Sequence, residues 1–231
     1  MLVAKVDEVL IGFGGDLNSI PANPLHHRLK IVYLEWEGYS ATKNKLAVQA
    51  KNNWILSLDS DEVPDDVLIQ CIVALPYHSL HKGNQYQIKR LSFFEGKRMH
   101  HGSWGNGTVT RLYNREDTQW NNSLVHESLV QSNHTKILRL KGSLYHYTAD
   151  NYQTFLAKSL RYAQLKAEEN YINRKKATFV KCYVSPVFLF VKEYIFQAGI
   201  LDGRRGWKIA LGNAKYTFWK YKFLKEKSMG A

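Results

Sequence analysis

The sequence predicts an α/β protein with a mostly parallel sheet flanked by helices and with a helical extension at the C-terminus. In the first third of the chain, apolar runs with the length of strands alternate with segments of helical composition, a pattern typical of α/β domains. Residues 54–58 (WILSL) are an apolar run of the kind that is buried on both faces of a parallel sheet. We therefore expect one α/β domain over residues 1–175 and a basic, aromatic extension over residues 176–231.

The first predicted elements alternate between strand and helix. Strands are expected at residues 7–13, 29–36 and 54–58, and helices at about 40–51 and 65–75. Ser40 can cap the first helix, and Asp65 or Asp66 the second, because short polar side chains accept hydrogen bonds from the free N–H groups at a helix start.

Beyond Gln85 the pattern changes to short strands separated by loops rich in Gly and Asn. Strands are expected at residues 86–94, 109–114 and 137–147, and a helix from about Asn151 to Glu169 follows. Residues 207–227 are expected to form a further helix, because apolar side chains recur along an uneven stripe of this segment.

Composition restricts the class of protein. The 32 basic residues exceed the 20 acidic ones, for a net charge of +12, which favours anionic partners. Two distant cysteines, Cys71 and Cys182, argue against a disulfide framework or a cysteine zinc site and fit a reducing cytoplasm. The N-terminal residues lack the pattern of a signal peptide, and the apolar run 182–191 is too short to span a bilayer.

The densest group of carboxylates follows the predicted strand 54–58. Asp59 and Asp61 stand two residues apart at the carboxyl end of this strand, where ligands bind in open α/β sheets. Two such carboxylates can hold Mg²⁺ or Mn²⁺, hard cations that bind few protein oxygens together with substrate phosphates. Glu62 is a secondary candidate for this site. The alternative is a solvated acidic turn that caps the helix at 65–75.

A second enzymatic interpretation starts from the same residues. The segment LSLDSDEV, residues 56–63, also resembles the strand-and-D-x-D pattern of haloacid-dehalogenase-type phosphatases, in which the first Asp is the nucleophile. That chemistry needs a later acidic pair for Mg²⁺, whereas the later aspartates of this chain stand alone in the sequence.

Several ordered motifs resemble family 2 glycosyltransferases, in particular the subgroup that includes lipopolysaccharide-core glucosyltransferases. The similarity extends over roughly residues 30–220, and its motifs lie at residues 37–62, 90–115, 120–129, 144–167 and 198–218. It implies a GT-A-like fold, inverting transfer of a sugar from a nucleotide-sugar donor, and dependence on a divalent metal. It also implies a lipopolysaccharide-core or other surface-glycan acceptor, which can be lipid-linked.

The resemblance assigns roles to individual residues. Asp59 and Asp61 match the metal-binding D-x-D, and Glu127 matches the general base that takes the proton of the acceptor hydroxyl. His146, or His126 beside Glu127, would complete the metal shell or bind phosphate, although His146 can also be a hydrogen-bonded core histidine.

The donor would be held by side chains from several segments. Lys43 is assigned to donor binding, Arg111 to a phosphate, and Trp104 in the Gly-rich segment 101–114 to stacking on the sugar. The alternative for Trp104 is a packing role in a glycine-rich hairpin connection.

The N-terminal residues depart from the family pattern. The family begins with a strand and a helix before a second strand that ends in an Asp, and here Phe13 stands at the position of that Asp, with Asp16 as the nearest acidic residue. The resemblance therefore implies that a strand–helix unit is missing at the front. An inactive carbohydrate- or nucleotide-binding relic of a transferase is the alternative that follows.

The C-terminal extension combines aromatic residues with lysines. Segment 207–227 has the composition of an interfacial membrane helix, or of a helix that packs on the domain with its lysines in solvent. We expect a cytoplasmic protein at the inner face of the plasma membrane, bound peripherally to its anionic surface. Nucleic acid is not expected as a partner, because no recognised nucleic-acid-binding motif occurs and the D-x-D would have no role.

Overall fold

The computed structural model describes residues 5–15, 27–76, 80–121, 123–124 and 127–229. Within these residues the chain forms strands and helices in the following order: β1 (Val9–Phe13), β2 (Leu29–Tyr33), α1 (Tyr39–Val48), β3 (Trp54–Leu56), β4 (Glu62–Pro64), α2 (Asp66–Val73), β5 (Asn84–Phe94), β6 (Lys97–Arg98), β7 (Gly107–Asn114), β8 (Lys136–Ala149), α3 (Tyr152–Ile172), α4 (Ser185–Val191) and α5 (Gly203–Met229). Two π-helical turns, Val180–Val184 and Lys192–Phe196, flank α4. Short 3₁₀ turns form at Gly102–Trp104 and Gly199–Asp202.

The strands belong to two sheets. β1 and β2 form a two-stranded parallel sheet. A six-stranded sheet has the order β3-β7-β5-β8-β4, with β6 paired to β5. β3 runs antiparallel to β7, and β6 antiparallel to β5. The α/β class predicted from the sequence is confirmed, and the sheet is mixed.

The predicted strand at residues 54–58 differs from expectation in its partner. Only Trp54–Leu56 is extended as a strand, and its neighbour β7 is antiparallel rather than parallel. An apolar run predicts that a strand is buried. It does not predict the direction of the neighbouring strand, because that strand lies more than fifty residues later in the sequence.

The chain divides into two compact units. Unit 1 takes the described residues of Met1–Lys89 and Thr108–Leu144, and unit 2 those of Arg90–Gly107 and Tyr145–Ala231. The boundary predicted at residue 175 stays a prediction about sequence domains.

In unit 1 the core forms where α2 covers the sheet. Leu68 of α2 packs with buried side chains of β5, β7 and β8, namely Tyr86, Ile88, Leu112, Leu140 and Leu144. The predicted cap is confirmed: the Leu68 N–H donates to Asp65 Oδ1 at 2.7 Å. Gly142 lets β8 approach this helix start, because a Cβ on Gly142 would lie 2.3 Å from the Leu68 nitrogen.

Helix α1 begins earlier than predicted. Its N-cap is Gly38, at φ 106°, a conformation that favours glycine. Ser40 therefore lies inside the first turn, and its hydroxyl donates to the Ser123 carbonyl at 3.0 Å rather than capping the helix.

In unit 2 the long helices α3 and α5 pack together and enclose a second core of Phe94, Met99, Ala149, Phe155 and Ile209. The predicted start of α3 is confirmed by Asn151, whose side chain accepts from the Thr154 N–H at 2.8 Å. Gly212 of α5 admits the Phe155 ring, since a Cβ there would lie 2.2 Å from it. Segment 207–227 is helical, as predicted, and lies within α5.

Candidate functional site

Five charged side chains of unit 1 meet in one cluster. Lys43 comes from α1, Asp59 from the turn after β3, Glu62 from the start of β4, Arg111 from β7, and Glu127 from the loop before β8. All five were singled out from the sequence, and the fold brings them into direct contact.

The contacts form a chain from Glu127 to Glu62. The Lys43 Nζ atom lies 2.6 Å from Glu127 Oε1 and 2.7 Å from Asp59 Oδ1. The Arg111 Nη2 atom lies 2.5 Å from Asp59 Oδ2 and 2.6 Å from Glu62 Oε1. Each cation thus bridges two carboxylates, and Asp59 is bound by both cations.

Strand pairing and a tight turn create this geometry. In the antiparallel β3–β7 ladder Leu56 faces Leu112, and the Ser57 N–H donates to the Arg111 carbonyl at 2.8 Å, which places Arg111 beside the end of β3. The chain then turns back, because the Glu62 N–H donates to the Asp59 carbonyl at 3.0 Å. The Glu62 side chain accepts in return from the Asp59 N–H at 3.2 Å.

A buried tryptophan supports both cations. The Lys43 ammonium lies 4.5 Å from the centre of the Trp120 ring, and the Arg111 guanidinium 5.9 Å from it. Asn44, the neighbour of Lys43 on α1, accepts from the Trp120 N–H and donates to its carbonyl. The Trp120 ring N–H donates to the Tyr113 hydroxyl at 3.1 Å. Trp120 therefore links α1 to β7 through hydrogen bonds to Asn44 and Tyr113.

Exposure changes across the cluster. The Glu62 side chain is 0% exposed, whereas Asp59 is 32% exposed, so the cluster opens to solvent at Asp59. Burial opposes ionisation of Asp59, but the charges of Arg111 and Lys43 outweigh it and lower the pKa of Asp59. Burial likewise opposes the charge of Arg111, but Asp59 and Glu62 outweigh it and raise the pKa of Arg111.

The donor set at Asp59 and Asp61 is compatible with a hard divalent cation. Three carboxylates and two cations leave one excess negative charge, and Asp61, in the same turn as Asp59, adds another. Each carboxylate oxygen has two lone pairs, so the oxygens of Asp59 can accept from Lys43 and Arg111 and still bind a metal. Within the part of the chain that the structure describes, no group of three or more His, Cys, Asp or Glu could hold a metal ion. Metal binding by Asp59 and Asp61 therefore stays a prediction.

The remaining predicted residues belong to unit 2 or fall outside the described residues. His146 of β8 belongs to unit 2, and its Nδ1 atom lies 3.0 Å from the Thr148 hydroxyl. Trp104 also belongs to unit 2 and packs its ring on Phe94 and Phe155. Their roles in metal and donor binding stay predictions. Asp16 and His126 fall outside the described residues.

Two features of the site were missed in the sequence. Trp120 begins the motif at residues 120–129, which predicts no role for it, yet its ring lies next to both cations. Lys43 and Arg111 were assigned to the donor, and here they bind carboxylates. Local sequence spacing does not reveal the contacts of Arg111 with Asp59 and Glu62 or that of Lys43 with Glu127, because these partners are between 49 and 84 residues apart along the chain.

The chain is similar to proteins named as glycosyltransferases. It is 23% identical over 185 residues to "uncharacterized glycosyltransferase RP128" of Rickettsia prowazekii, with 77% of this chain and 63% of that protein covered. It is 24% identical over 210 residues to "uncharacterized glycosyltransferase RT0209" of Rickettsia typhi, covering 87% of this chain and 71% of the relative.

A further relative has a more specific name. The chain is 25% identical over 192 residues to "lipopolysaccharide core biosynthesis glycosyltransferase LpsC" of Rhizobium meliloti, with 82% and 70% of the two proteins covered. No protein-family model matches the chain. The similarity to these glycosyltransferases supports a role in glycosyl transfer, and the mixed α/β fold is compatible with it.

Proposed function

We propose that this protein is an inverting, metal-dependent glycosyltransferase that moves a sugar from a nucleotide-sugar donor to a lipopolysaccharide-core or related surface-glycan acceptor. The observation that carries the proposal is the Lys43 bridge, which holds Glu127 and Asp59 on one ammonium group at 2.6 and 2.7 Å. The carboxylate to which we assign proton transfer and the carboxylate to which we assign the metal–diphosphate are thereby kept within one small site. The name of the relative LpsC supports the acceptor class, and the nucleotide-sugar donor is what the resemblance to family 2 glycosyltransferases implies.

In this proposal Asp59 and Asp61 hold Mg²⁺ or Mn²⁺, which when bound neutralises charge on the departing diphosphate. Glu127 takes the proton of the acceptor hydroxyl as that oxygen bonds to the anomeric carbon. The bond from this carbon to the diphosphate breaks at the same time, with inversion. The Oε1 atom of Glu127 is held by Lys43, which leaves Oε2 to accept the proton.

Lys43 and Arg111 act as positioning residues. Arg111 is buried and fixes Asp59 against Glu62 through two hydrogen bonds. Lys43 sets the separation of Glu127 and Asp59, and its position over Trp120 restricts its own movement. Together they orient the two carboxylates before the substrates bind, which lowers the cost of reaching the reactive geometry.

The test separates binding from chemistry. The purified protein is incubated with labelled nucleotide-sugars and truncated lipopolysaccharide, with Mn²⁺ and with EDTA. Asp59→Asn should abolish metal-dependent donor binding by calorimetry, while Glu127→Gln should retain it and lower transfer by about 10²–10⁴-fold. Glu116→Gln, which removes an exposed ion pair with Lys82 outside the cluster, is the matched control.

Two outcomes would replace the proposal. Donor binding without any transfer across the acceptor panel would support the relic of a transferase. Release of phosphate from an aryl phosphate, lost in Asp59→Asn, would support a phosphatase.

A further inference from the structure

Unit 2 has an exposed apolar surface that none of the proposed chemistry uses. The chain is helical from Val180 to Phe196 through a π-helical turn, α4 and a second π-helical turn, and a 3₁₀ turn at Gly199–Asp202 follows. We call the outward surface of residues 179–201 the aromatic face. Its most exposed large side chains are Phe179, Val187, Phe188, Phe196 and Leu201.

The aromatic face is the outer side of an otherwise packed helical segment. Cys182, Pro186 and Glu193 are buried, and they recur at helical spacing on the inner side, where this segment contacts α5. The outer side also has large apolar side chains, and Phe188 and Phe196 are 64% and 77% exposed. A monomeric soluble protein rarely exposes so many large apolar side chains together.

The charge around the aromatic face has one sign. From residue 170 to residue 225 the chain has twelve lysines and arginines and two acidic residues, Glu193 and Asp202. Glu193 is buried and accepts a hydrogen bond from Asn213 at 2.7 Å. Asp202 accepts from the backbone N–H groups of His100 and His101, and its side chain is 8% exposed.

Cations, by contrast, remain at the surface on both sides of the aromatic face. Lys181 and Lys192 lie exposed within the helical segment, Arg174, Lys175 and Lys176 lie exposed before it, and Arg204 after it. The exposed apolar side chains are therefore interspersed with and flanked along the chain by exposed cations, whereas the two carboxylates face inward.

Amphipathic aromatic side chains adjoin this segment. Tyr194 stacks on Phe190 with ring centres 5.5 Å apart, and Trp207 packs edge-on against both rings. Trp207 is also partly exposed. Tyrosine and tryptophan prefer the boundary between lipid headgroups and hydrocarbon, because one end of each ring is apolar and the other is polar.

We infer that the aromatic face binds the surface of an anionic lipid bilayer, with its apolar side chains at the headgroup boundary and the surrounding cations on lipid phosphates. This inference is independent of the proposed sugar transfer. It also moves the expected contact from segment 207–227 to residues 179–201, because Ile209, Ala210, Ala214 and Leu224 of α5 are buried.

Other occupants fit less well. A second copy of the chain would bring the same exposed cations together, which costs free energy through like-charge repulsion. Nucleic acid could stack bases on the exposed phenylalanine rings, but it would leave the exposed aliphatic side chains Val187, Ile195 and Leu201 without an apolar partner. Among the described residues no single helix is long and apolar enough to cross a membrane, and one pair, Val180–Phe196 with Gly199–Met229, passes by length and composition when taken together despite a 73° bend.

The test is co-sedimentation of the full chain with vesicles. Vesicles of phosphatidylcholine with about 30% phosphatidylglycerol are compared with pure phosphatidylcholine at low and high salt. Wild type should pellet with the anionic vesicles at low salt, and Phe188→Ser/Phe196→Ser should weaken the partition coefficient at least about tenfold. Lys181→Gln/Lys192→Gln should weaken it by about fivefold per lysine and reduce its salt dependence.

Matched controls change the same chemistry elsewhere. Val48→Ser/Val67→Ser removes exposed apolar side chains of unit 1, and Lys136→Gln/Lys141→Gln removes exposed lysines of β8; both should bind like wild type. The inference is overturned if wild type does not pellet, if neutral vesicles bind equally, or if the Phe188/Phe196 variant binds like wild type. Self-association in sedimentation velocity without lipid, lost in that variant, would assign the face to a second copy and overturn it too.

Discussion

Arg111→Met should destabilise unit 1 strongly, because it leaves a buried carboxylate without its cation. Glu62 is fully buried and receives its only charged hydrogen bond among the described residues from Arg111 at 2.6 Å. Removing one partner of a buried ion pair costs about 3–5 kcal/mol. The Asp59 contact adds roughly 0–1 kcal/mol, because Asp59 is partly open to solvent. We therefore expect a loss of about 3–5 kcal/mol in the free energy of unfolding.

The measurement is urea unfolding followed by circular dichroism, with wild type, Arg111→Met, Glu62→Gln and the double variant compared. The double variant should be more stable than Arg111→Met, because no buried charge remains and the amide oxygen introduced by Glu62→Gln can still accept from the Asp59 N–H. Arg139→Met, at an exposed position of β8, is the control and should change little. A loss below about 1 kcal/mol in Arg111→Met, or a double variant no more stable than it, would show that the Glu62 carboxylate does not depend on Arg111.

Three further predictions concern stability. Arg111 and Lys43 lower the pKa of Asp59, so its ion pairs stabilise the fold fully above pH 3.8, the pKa of the unfolded state, and are lost as the pH falls through the folded pKa. Asp59→Asn should remove this contribution to acid unfolding, measured as melting temperatures over a series of pH values. Burial raises the pKa of Glu193 above its ordinary 4.5, so the free energy of unfolding is highest below pH 4.5 and falls as the pH rises through the folded pKa. Glu193→Gln should therefore have a higher melting temperature than wild type at neutral pH. Equal melting temperatures would contradict this. Gly142→Ala should lower the free energy of unfolding by about 1–3 kcal/mol more than Gly96→Ala, measured by urea unfolding. Both glycines have positive φ, but only a Cβ on Gly142 would clash, at 2.3 Å from the Leu68 nitrogen. Similar losses in the two variants would contradict this.

Local features of the fold were predictable from the sequence. Asp65 or Asp66 is expected to cap α2 because short polar side chains accept from the free N–H groups at a helix start, and Asp65 does so. The helix expected from about Asn151 is also present, with the Asn151 side chain as its cap. Ser40 has the same chemistry but lies inside α1, because Gly38 allows the helix to begin earlier. Where α1 begins depends on the backbone conformation of Gly38, which the residue type at position 40 does not predict.

Pairing between distant segments was not predictable. The apolar run that starts at Trp54 predicts a strand, but its antiparallel partner is β7. The same limit applies to the site: Asp59 and Glu127 were each singled out, whereas their link through Lys43 joins segments 84 residues apart. The aromatic face illustrates a third limit, because composition marks residues 179–201 and 207–227 alike as apolar and basic. Only the packing of α5 shows which of them leaves its apolar side chains exposed.

In the proposed mechanism, Asp59 binds the metal on the donor diphosphate, and Glu127 takes the proton of the acceptor hydroxyl within the same site. The most direct measurement is donor binding and sugar transfer by wild type and Glu127→Gln with Mn²⁺, on the same preparation. We predict that Glu127→Gln binds the nucleotide-sugar like wild type and loses transfer by about 10²–10⁴-fold. Transfer by Glu127→Gln at the wild-type rate would contradict it.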